Sequence, residues 1–194
     1  MDITEKLNSV RDQVLVDIKE KALITGESFK LASGQTSSHY VNCKELTLEA
    51  ACLERVAKLF CGHLLRFDPK PNTVAGVSIG GDPIVAAVIL EAYRSHQLNW
   101  KALLIRKKAK EHGLTKGRHV EGVLPEESQE MYLLEDVIST GKSSREAAQF
   151  LSNEGYKLKG VIALIDREMG GVEALRSELG CPVETVFKLS EFAS

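Results

Sequence analysis

The chain has 194 residues, of which 43% are hydrophobic, and its 25 basic and 27 acidic side chains leave a formal net charge of −2. This length and apolar content predict one domain over residues 1–194, and the balanced charge gives no general attraction to nucleic acid or membranes. No apolar run approaches the ~18 residues of a membrane span, and the charged amino terminus does not fit a secretion signal. The four cysteines, Cys43, Cys52, Cys61 and Cys181, form no CxxC pair. We therefore expect a soluble cytoplasmic protein with free thiols.

Hydrophobic periodicity predicts two helices in the first third of the chain. Apolar residues recur every three or four positions from Ile3 to Ile18 and again from Val56 to Leu64. The segment 29–41 places serine and glycine between hydrophobic residues, which is typical of short strands or an extended loop. The sequence DPKP at 68–71 then predicts a turn.

After this turn, short apolar runs alternate with stretches of helical spacing. The runs are Thr73–Val77, Ala102–Ile105, Met131–Leu134 and Val161–Ile165. Helical spacing is found at Pro83–Tyr93 and Ser143–Leu151. Apolar runs of this kind suit strands buried on both faces, so the pattern predicts an α/β fold with a central, mainly parallel sheet flanked by helices. Ligands in such folds bind at the carboxyl ends of the strands.

The strongest chemical signal is the segment 133–144, LLEDVISTGKSS. Its strand ends in two acids, Glu135 and Asp136, and the turn 139–141 then opens a helix. Such a turn directs backbone N–H groups and hydroxyls, together with the positive end of the helix dipole, at one phosphate. Carboxylates beside a phosphate would repel it, so their natural partners are sugar hydroxyls or Mg²⁺. The segment therefore predicts a ribose 5-phosphate site.

The segment has two other interpretations. A nucleotide-binding P-loop needs a glycine five residues before Gly141, where this chain has Asp136, so the P-loop pattern is absent. The second alternative is purely structural, with the acids capping a helix and the serines forming an ordinary turn.

Residues 107–124 interrupt the strand and helix pattern. This segment has no apolar period, contains three glycines and is rich in lysine and arginine. Because a long irregular segment inside a compact domain is usually functional or disordered, we predict a flexible lid over an anion. The alternative is a solvated basic loop.

Five segments together resemble the orotate phosphoribosyltransferase family of type I phosphoribosyltransferases. The segment 133–144 resembles the family's phosphoribosyl pyrophosphate (PRPP) signature, and 105–113, IRKKAKEHG, resembles its mobile catalytic loop, RKxxKxHG. The segments 29–40 (FKLASGQTSSHY) and 164–171 (LIDREMGG) resemble its nucleobase loop and its Asp-Arg-Glu-x-Gly-Gly segment. Residues 74–83 (VAGVSIGGDP) resemble its pyrophosphate loop, although a plain strand-to-helix turn is the alternative there.

The resemblance implies the type I phosphoribosyltransferase fold, with a small amino-terminal hood in residues 1–45 and a mobile catalytic loop at 107–124. It implies a glycosyltransferase that moves the 5-phosphoribosyl group from PRPP to orotate, giving orotidine 5′-phosphate and pyrophosphate in pyrimidine (UMP) biosynthesis. It also implies a homodimer with shared active sites, and Mg²⁺ carried by the pyrophosphate and ribose of PRPP, reaching Asp136 through water. No nucleic acid or membrane partner is expected.

Residue roles follow from the same resemblance. The expected catalytic residues are the lid cations Arg106, Lys107, Lys110 and His112, which would stabilise the charge on departing pyrophosphate. The expected PRPP contacts are these four together with Gly80, Gly81, Glu135, Asp136, Val137, Ile138, Ser139, Thr140, Gly141, Lys142 and Ser143. The expected orotate contacts are Ser139 and Arg167, because an arginine can hold the orotate carboxylate through paired hydrogen bonds. A surface ion pair of Arg167 with Asp166 or Glu168 is the alternative.

The chain departs from the family pattern at four positions. Some relatives have lysine where this chain has Ala32 and Gly80, so those two cationic contacts are not carried over. Many have threonine and glycine where it has Ser139 and Lys142. Two other functions were considered: a phosphoribosyltransferase for another nucleobase, and a non-catalytic regulator that senses PRPP. We expect no fused decarboxylase half in this chain.

Overall fold

The computed structural model of the protein describes residues 3–30, 36–67, 71–108, 119–123 and 130–193. Helix α1 (Ile3–Asp17) runs directly into a π-helical turn at Ile18–Ala22. Strands β1 (Leu23–Lys30) and β2 (Thr36–Val41) follow as an antiparallel hairpin. The opening helix and the short strands near 29–41 are therefore confirmed, and the hairpin begins earlier than predicted.

The remaining elements alternate between helix and strand. They are α2 (Lys44–Thr47), α3 (Ala50–Leu64), β3 (Thr73–Val77), α4 (Gly81–His96), β4 (Lys101–Ile105), β5 (Val120–Gly122), β6 (Glu130–Ile138), α5 (Lys142–Asn153), β7 (Lys157–Asp166), α6 (Gly171–Leu179) and β8 (Val183–Lys188), followed by a 3₁₀ turn (Leu189–Glu191). Among the described helices, none combines the length and apolarity that a bilayer crossing requires.

The central sheet has the strand order β5-β4-β3-β6-β7-β8. The edge strand β5 runs antiparallel to β4, and the other neighbouring strands are parallel. Successive side chains of a strand face opposite sides of a sheet, and β6 shows the result. Leu134 packs into the apolar cluster formed with α3 and α4, whereas Leu133 packs into the cluster formed with α5 and α6. Both faces are covered by helices, which confirms the predicted architecture.

Three details differ from the sequence predictions. Strand β6 does not stop at Leu134, because its backbone continues to pair with β7 as far as Ile138, so the two acids lie inside the strand. Helix α6 and strand β8 were not predicted. Residues 120–122 of the predicted lid form β5, since Val120 is fully buried and pairs with Ile105. The lid positions 109–118 and 124 lie outside the described residues.

The parallel strands bring the predicted site segments to one edge of the sheet. Strands β3, β4, β6 and β7 point in the same direction. The residues that follow them, Ser78, Arg106, Ser139 and Arg167, therefore emerge at the same edge.

Candidate active site

A cleft with two adjoining lobes opens at this edge. The first lobe, of about 740 Å³, is lined by Val77, Ser78, Ile79, Gly80, Asp82, Leu104, Arg106, Lys108, Glu121 and Glu135. The second lobe, of about 610 Å³, is lined by Tyr40, Val41, Asn42, Cys43, Ile138, Ser139, Thr140, Gly141, Lys142, Ser144, Glu146 and Arg167. Lys44, Lys107, Asp136, Val137 and Ser143 line both lobes. The cleft thus brings together the acid pair, the hydroxyl turn, the first lid cations and Arg167.

The two acids of β6 occupy different surroundings because they are neighbours in a strand. Glu135 is only 3% exposed, and its Oε1 accepts a hydrogen bond of 2.7 Å from the hydroxyl of Ser144 in α5. Asp136 faces the loop after β3, where its carboxylate fills the space beside Gly80. A Cβ atom at position 80 would lie 2.2 Å from Asp136 Oδ2, so a glycine there lets the loop approach the acid closely.

Burial raises the pKa of both acids. It raises the pKa of Glu135 to about 8, helped by the charge of Asp136 and opposed by the Ser144 hydrogen bond. It also raises the pKa of Asp136, opposed by the backbone N–H of Val137, which donates to Asp136 Oδ1 at 2.8 Å. Glu135 is therefore largely protonated at neutral pH in the ligand-free protein and can donate as well as accept a hydrogen bond.

The raised pKa of Glu135 predicts a specific pH dependence of stability. Between its ordinary pKa of 4.5 and the folded value of about 8, the folded protein holds a proton that the unfolded chain has lost. The stability contributed by this proton is present in full below pH 4.5 and is lost as the pH rises to about 8. We expect the free energy of unfolding of the wild type to fall relative to that of Glu135→Gln across this window, by on the order of a few kcal/mol.

Urea unfolding of both proteins at pH 5, 6, 7 and 8 measures this difference. The matched control is Glu146→Gln, which removes a half-exposed carboxylate that pairs with Lys142 on α5. The control should follow the wild type at every pH. Parallel pH curves for the wild type and Glu135→Gln would show that Glu135 titrates normally.

The hydroxyl turn between β6 and α5 is held by the loop that follows β7. Gly141 adopts a positive φ of 75°, which favours glycine, and it precedes the first residue of α5. The N–H of Gly171 donates to the carbonyl of Ser139 at 3.1 Å, and a Cβ atom at Gly171 would lie 2.3 Å from that oxygen. The first N–H groups of α5 have no acceptor inside the helix. The turn therefore presents hydroxyls and backbone donors to the second lobe, as a phosphate site requires.

The glycine-rich loop after β3 lines the first lobe. Ser78 donates its hydroxyl to Asp82 Oδ1 at 2.7 Å, and the peptide bond from Ser78 to Ile79 is cis. Gly80 faces the cleft, whereas Gly81 is buried behind it, where a Cβ atom would lie 2.8 Å from Cα of Gly76. The predicted role of Gly81 as a PRPP contact stays a prediction.

The lid segment leaves and rejoins the sheet at neighbouring residues. The N–H of Arg106 donates to the carbonyl of His119 at 2.7 Å, and the ring of His119 stacks on Phe150 at a centroid distance of 3.8 Å. The guanidinium of Arg106 pairs with Glu121 of β5 at 2.6 Å. Arg106 and Lys107 line the first lobe, and their predicted roles in PRPP binding and catalysis stay predictions. The other two predicted lid residues, Lys110 and His112, lie outside the described residues.

Arg167 is buried at the carboxyl end of β7, with 7% of its surface exposed. One terminal nitrogen donates to the carbonyl of His39 at 2.7 Å, and Nε has no partner within the described parts of the chain. Burial lowers the pKa of Arg167. The alternative interpretation, a surface ion pair with Asp166 or Glu168, is wrong. The carboxylates of those residues accept hydrogen bonds from the Glu168 N–H and from Ser190, respectively.

The hairpin places an aromatic ring near Arg167. Tyr40 of β2 lines the second lobe with Arg167, and its ring lies 6.0 Å from that of Phe29 in β1. Ser33 and Gly34, which belong to the predicted nucleobase loop, lie outside the described residues, as does Ala32. A flat ligand bearing an anionic group would find an aromatic ring, the guanidinium of Arg167 and the hydroxyl turn in this lobe.

Ser144 and Lys44 are among the cleft residues to which the sequence analysis assigned no individual role. Ser144 holds Glu135, and its position in the first turn of α5 was the available signal. Lys44 lines both lobes, but no motif in the sequence singled it out. In the described ranges, no group of three histidine, cysteine or acidic side chains is arranged to hold a metal ion.

The chain is similar to known enzymes over nearly its whole length. It is 35% identical over 187 residues to the orotate phosphoribosyltransferase of Thermosynechococcus vestitus, covering 96% of this chain and 95% of that protein. It is 37% identical to the orotate phosphoribosyltransferase of Nostoc sp., covering 97% and 87%. The crystal structure of Mycobacterium tuberculosis orotate phosphoribosyltransferase in complex with Fe(III) dicitrate matches with a TM-score of 0.79 at 24% identity, covering 95% and 99%. No family model matches the chain.

Proposed function

Because the chain belongs to the orotate phosphoribosyltransferase family, we propose that it transfers the 5-phosphoribosyl group from PRPP to orotate, releasing pyrophosphate and forming orotidine 5′-phosphate. The observation that carries this proposal is the convergence of four segments on one cleft. The acid pair and the hydroxyl turn suit a ribose phosphate, the first lobe has room and cations for a diphosphate, and Arg167 suits a carboxylate.

PRPP would span the two lobes. Its 5-phosphate binds at residues 139–143, where backbone N–H groups and hydroxyls meet the start of α5. Its ribose hydroxyls bind Glu135 and Asp136, since a protonated Glu135 can donate while Asp136 accepts. The pyrophosphate extends into the first lobe, against Gly80 and toward Arg106 and Lys107.

Orotate would bind in the second lobe between Tyr40 and Arg167. The carboxylate of orotate can pair with the guanidinium of Arg167, which lines this lobe. Ser139, at the end of β6, supplies a further polar contact. A base without a carboxylate would leave the buried charge of Arg167 unpaired, so this residue favours orotate over uracil or a purine.

The reaction begins as the bond between the anomeric carbon and the pyrophosphate oxygen lengthens. Positive charge develops on the ribose ring, and the ring nitrogen of orotate attacks from the opposite face, with inversion. The proton of that nitrogen passes to water or to the departing pyrophosphate. Negative charge accumulates on the departing pyrophosphate, where Arg106, Lys107, Lys110 and His112 stabilise it as the lid closes.

Mg²⁺ is the proposed cofactor, and it enters with the substrate. This cation usually keeps several waters and binds one or two carboxylates together with substrate phosphates. Asp136, which lines both lobes, fits such a water-mediated contact. When bound, Mg²⁺ offsets charge on the pyrophosphate.

A cytoplasmic location is also part of the proposal, and free thiols at all four cysteines agree with a reducing compartment.

A panel of bases tests the proposed function directly. Purified protein is mixed with PRPP, Mg²⁺ and one base at a time (orotate, uracil, adenine, guanine or hypoxanthine), and pyrophosphate release is followed. We expect release with orotate and at most slow release with the other bases. Release only with another base would assign a different phosphoribosyltransferase, and PRPP binding without release would favour a regulator.

A homodimer with shared active sites completes the proposal. Leu90 and Tyr93, one turn apart on α4, are 54% and 57% exposed. Exposed apolar side chains grouped in this way are typical of a surface covered by a partner.

Dilution should therefore lower the activity per subunit. If one subunit's lid completes its neighbour's site, isolated subunits lack the lid cations at the transition state. Specific activity would be measured across a dilution series in parallel with the sedimentation coefficient. We expect both to fall together. Constant activity per subunit down to a demonstrated monomer would contradict shared sites.

A further inference from the structure

The glycine-rich loop of the first lobe supplies no positive charge. From residue 78 to residue 82, which includes the start of α4, its side chains are those of Ser78, Ile79 and Asp82. The one charged group among them is an acid, Asp82, which accepts a hydrogen bond from Ser78. Position 80 cannot take a longer side chain without displacing the carboxylate of Asp136, which occupies the space next to it. A cation that binds pyrophosphate before the lid closes must therefore come from elsewhere in the fold.

Lys44 is placed to supply this charge. It is the first residue of α2, which follows the hairpin, and it lines both lobes of the cleft. Its backbone is well fixed, since Cys43 before it is 3% exposed with Sγ 4.0 Å from the carbonyl oxygen of Asp136, and Leu46 after it is fully buried. The positive charge of Lys44 lowers the pKa of Asp136, against the larger effect of burial, which raises it. The ammonium group of Lys44 is therefore close enough to interact with the acid pair.

Other lysine and arginine residues of the cleft differ from Lys44 because they either form ion pairs or belong to the predicted lid. Arg106 is paired with Glu121, and Lys142 with Glu146. Lys107 and Lys108 are the first residues of the predicted lid. Within the part of the chain that the structure describes, Lys44 has no carboxylate partner within ion-pair distance. It is therefore a cation on the fixed body of the fold that is available to an incoming anion.

We propose that Lys44 is a further PRPP-binding residue, whose ammonium group binds the diphosphate of PRPP at the junction of the two lobes in the open enzyme. This inference rests on the proposed phosphoribosyl transfer. Lys44 acts in the ground state as well as in the transition state, because it does not depend on closure of the lid. Its loss therefore weakens substrate binding more than it slows the chemical step.

The test compares Lys44→Ala and Lys44→Arg with the wild type. The control Lys58→Ala removes a lysine of α3 that pairs with Glu54 at 2.8 Å and does not line the cleft. Calorimetry gives the Kd for PRPP and, separately, for inorganic pyrophosphate, and steady-state kinetics give kcat and both KM values. Thermal melts monitor folding.

We expect Lys44→Ala to raise the Kd for PRPP and for pyrophosphate by about tenfold or more, and to leave kcat within about twofold. The KM for orotate should not change, Lys44→Arg should restore most of the affinity, and the effect should shrink at high salt. The control should match the wild type throughout.

An unchanged Kd for PRPP in a folded Lys44→Ala protein would overturn the role of Lys44 and leave the proposed function intact. A fall in kcat without a change in Kd would also overturn it, because Lys44 would then act through the transition state alone. If the wild type released no pyrophosphate with any base, the proposed function itself would fail.

Discussion

Replacing Lys110 with alanine is expected to lower kcat by about 10²- to 10³-fold, the usual effect of removing a donor that acts mainly in the transition state. Lys110 lies four residues after Arg106, which the structure places at the first lobe. Its ammonium group would meet the pyrophosphate only when the lid closes, as negative charge develops on the leaving group. Because the proposed orotate position is in the second lobe, the KM for orotate should change far less than kcat.

Single-turnover measurements with saturating PRPP and orotate would separate the chemical step from product release. Lys116→Ala is a matched control, since it removes the same charge from the same predicted lid but lies outside the RKxxKxHG motif. The control should keep near-normal turnover. An unchanged kcat in Lys110→Ala would remove this residue from the catalytic mechanism.

Replacing Arg167 with methionine is expected to raise the Kd for orotate by about two orders of magnitude, as truncation of a buried hydrogen-bonded charge typically does. Arg167 is buried, with 7% of its surface exposed, and its Nε has no partner in the described structure. A carboxylate in the second lobe would pair with the guanidinium of Arg167, which lines that lobe. Methionine keeps most of the side-chain volume but cannot donate hydrogen bonds.

Substrate choice gives the sharper measurement. The ratio of kcat/KM for orotate to that for uracil should fall steeply in Arg167→Met, because uracil lacks the carboxylate, while PRPP affinity stays within about threefold. Arg145→Met is the control, since Arg145 pairs with Glu178 on the surface and such pairs contribute little. An unchanged ratio would show that Arg167 does not select the base.

The sequence predicted the elements whose burial leaves a clear hydrophobic pattern. Strands β3 and β7 are apolar runs that the structure buries completely over Thr73–Val77 and Val161–Ile165. The hydroxyl turn was predicted because its hydroxyls and glycine follow a strand and precede a helix. The local sequence is therefore enough to identify a buried central strand and the start of a helix.

Other features were not predicted because the local sequence carries no clear pattern for them. Strand β6 extends through Glu135 and Asp136 because the backbone keeps its pairing, although two acids interrupt the apolar pattern that identifies a buried strand. Strand β5 is only three residues long and follows a basic segment, so it was assigned to the lid. The position of Lys44 in the cleft depends on how the hairpin and α2 dock beside β6, which no local pattern encodes.

Strands β1 and β2 of the hairpin pair with each other. In the described structure they form a sheet separate from the six-stranded sheet that carries the hydroxyl turn. The hairpin contributes Tyr40 to the second lobe and accepts the Arg167 hydrogen bond through His39. In the proposed binding mode, the contacts to the base and those to the sugar phosphate are therefore encoded in largely separate pieces of the chain. This modularity offers a route for engineering, in which a transplanted hairpin and a new residue at position 167 would redirect base preference while the phosphoribosyl-handling elements are kept.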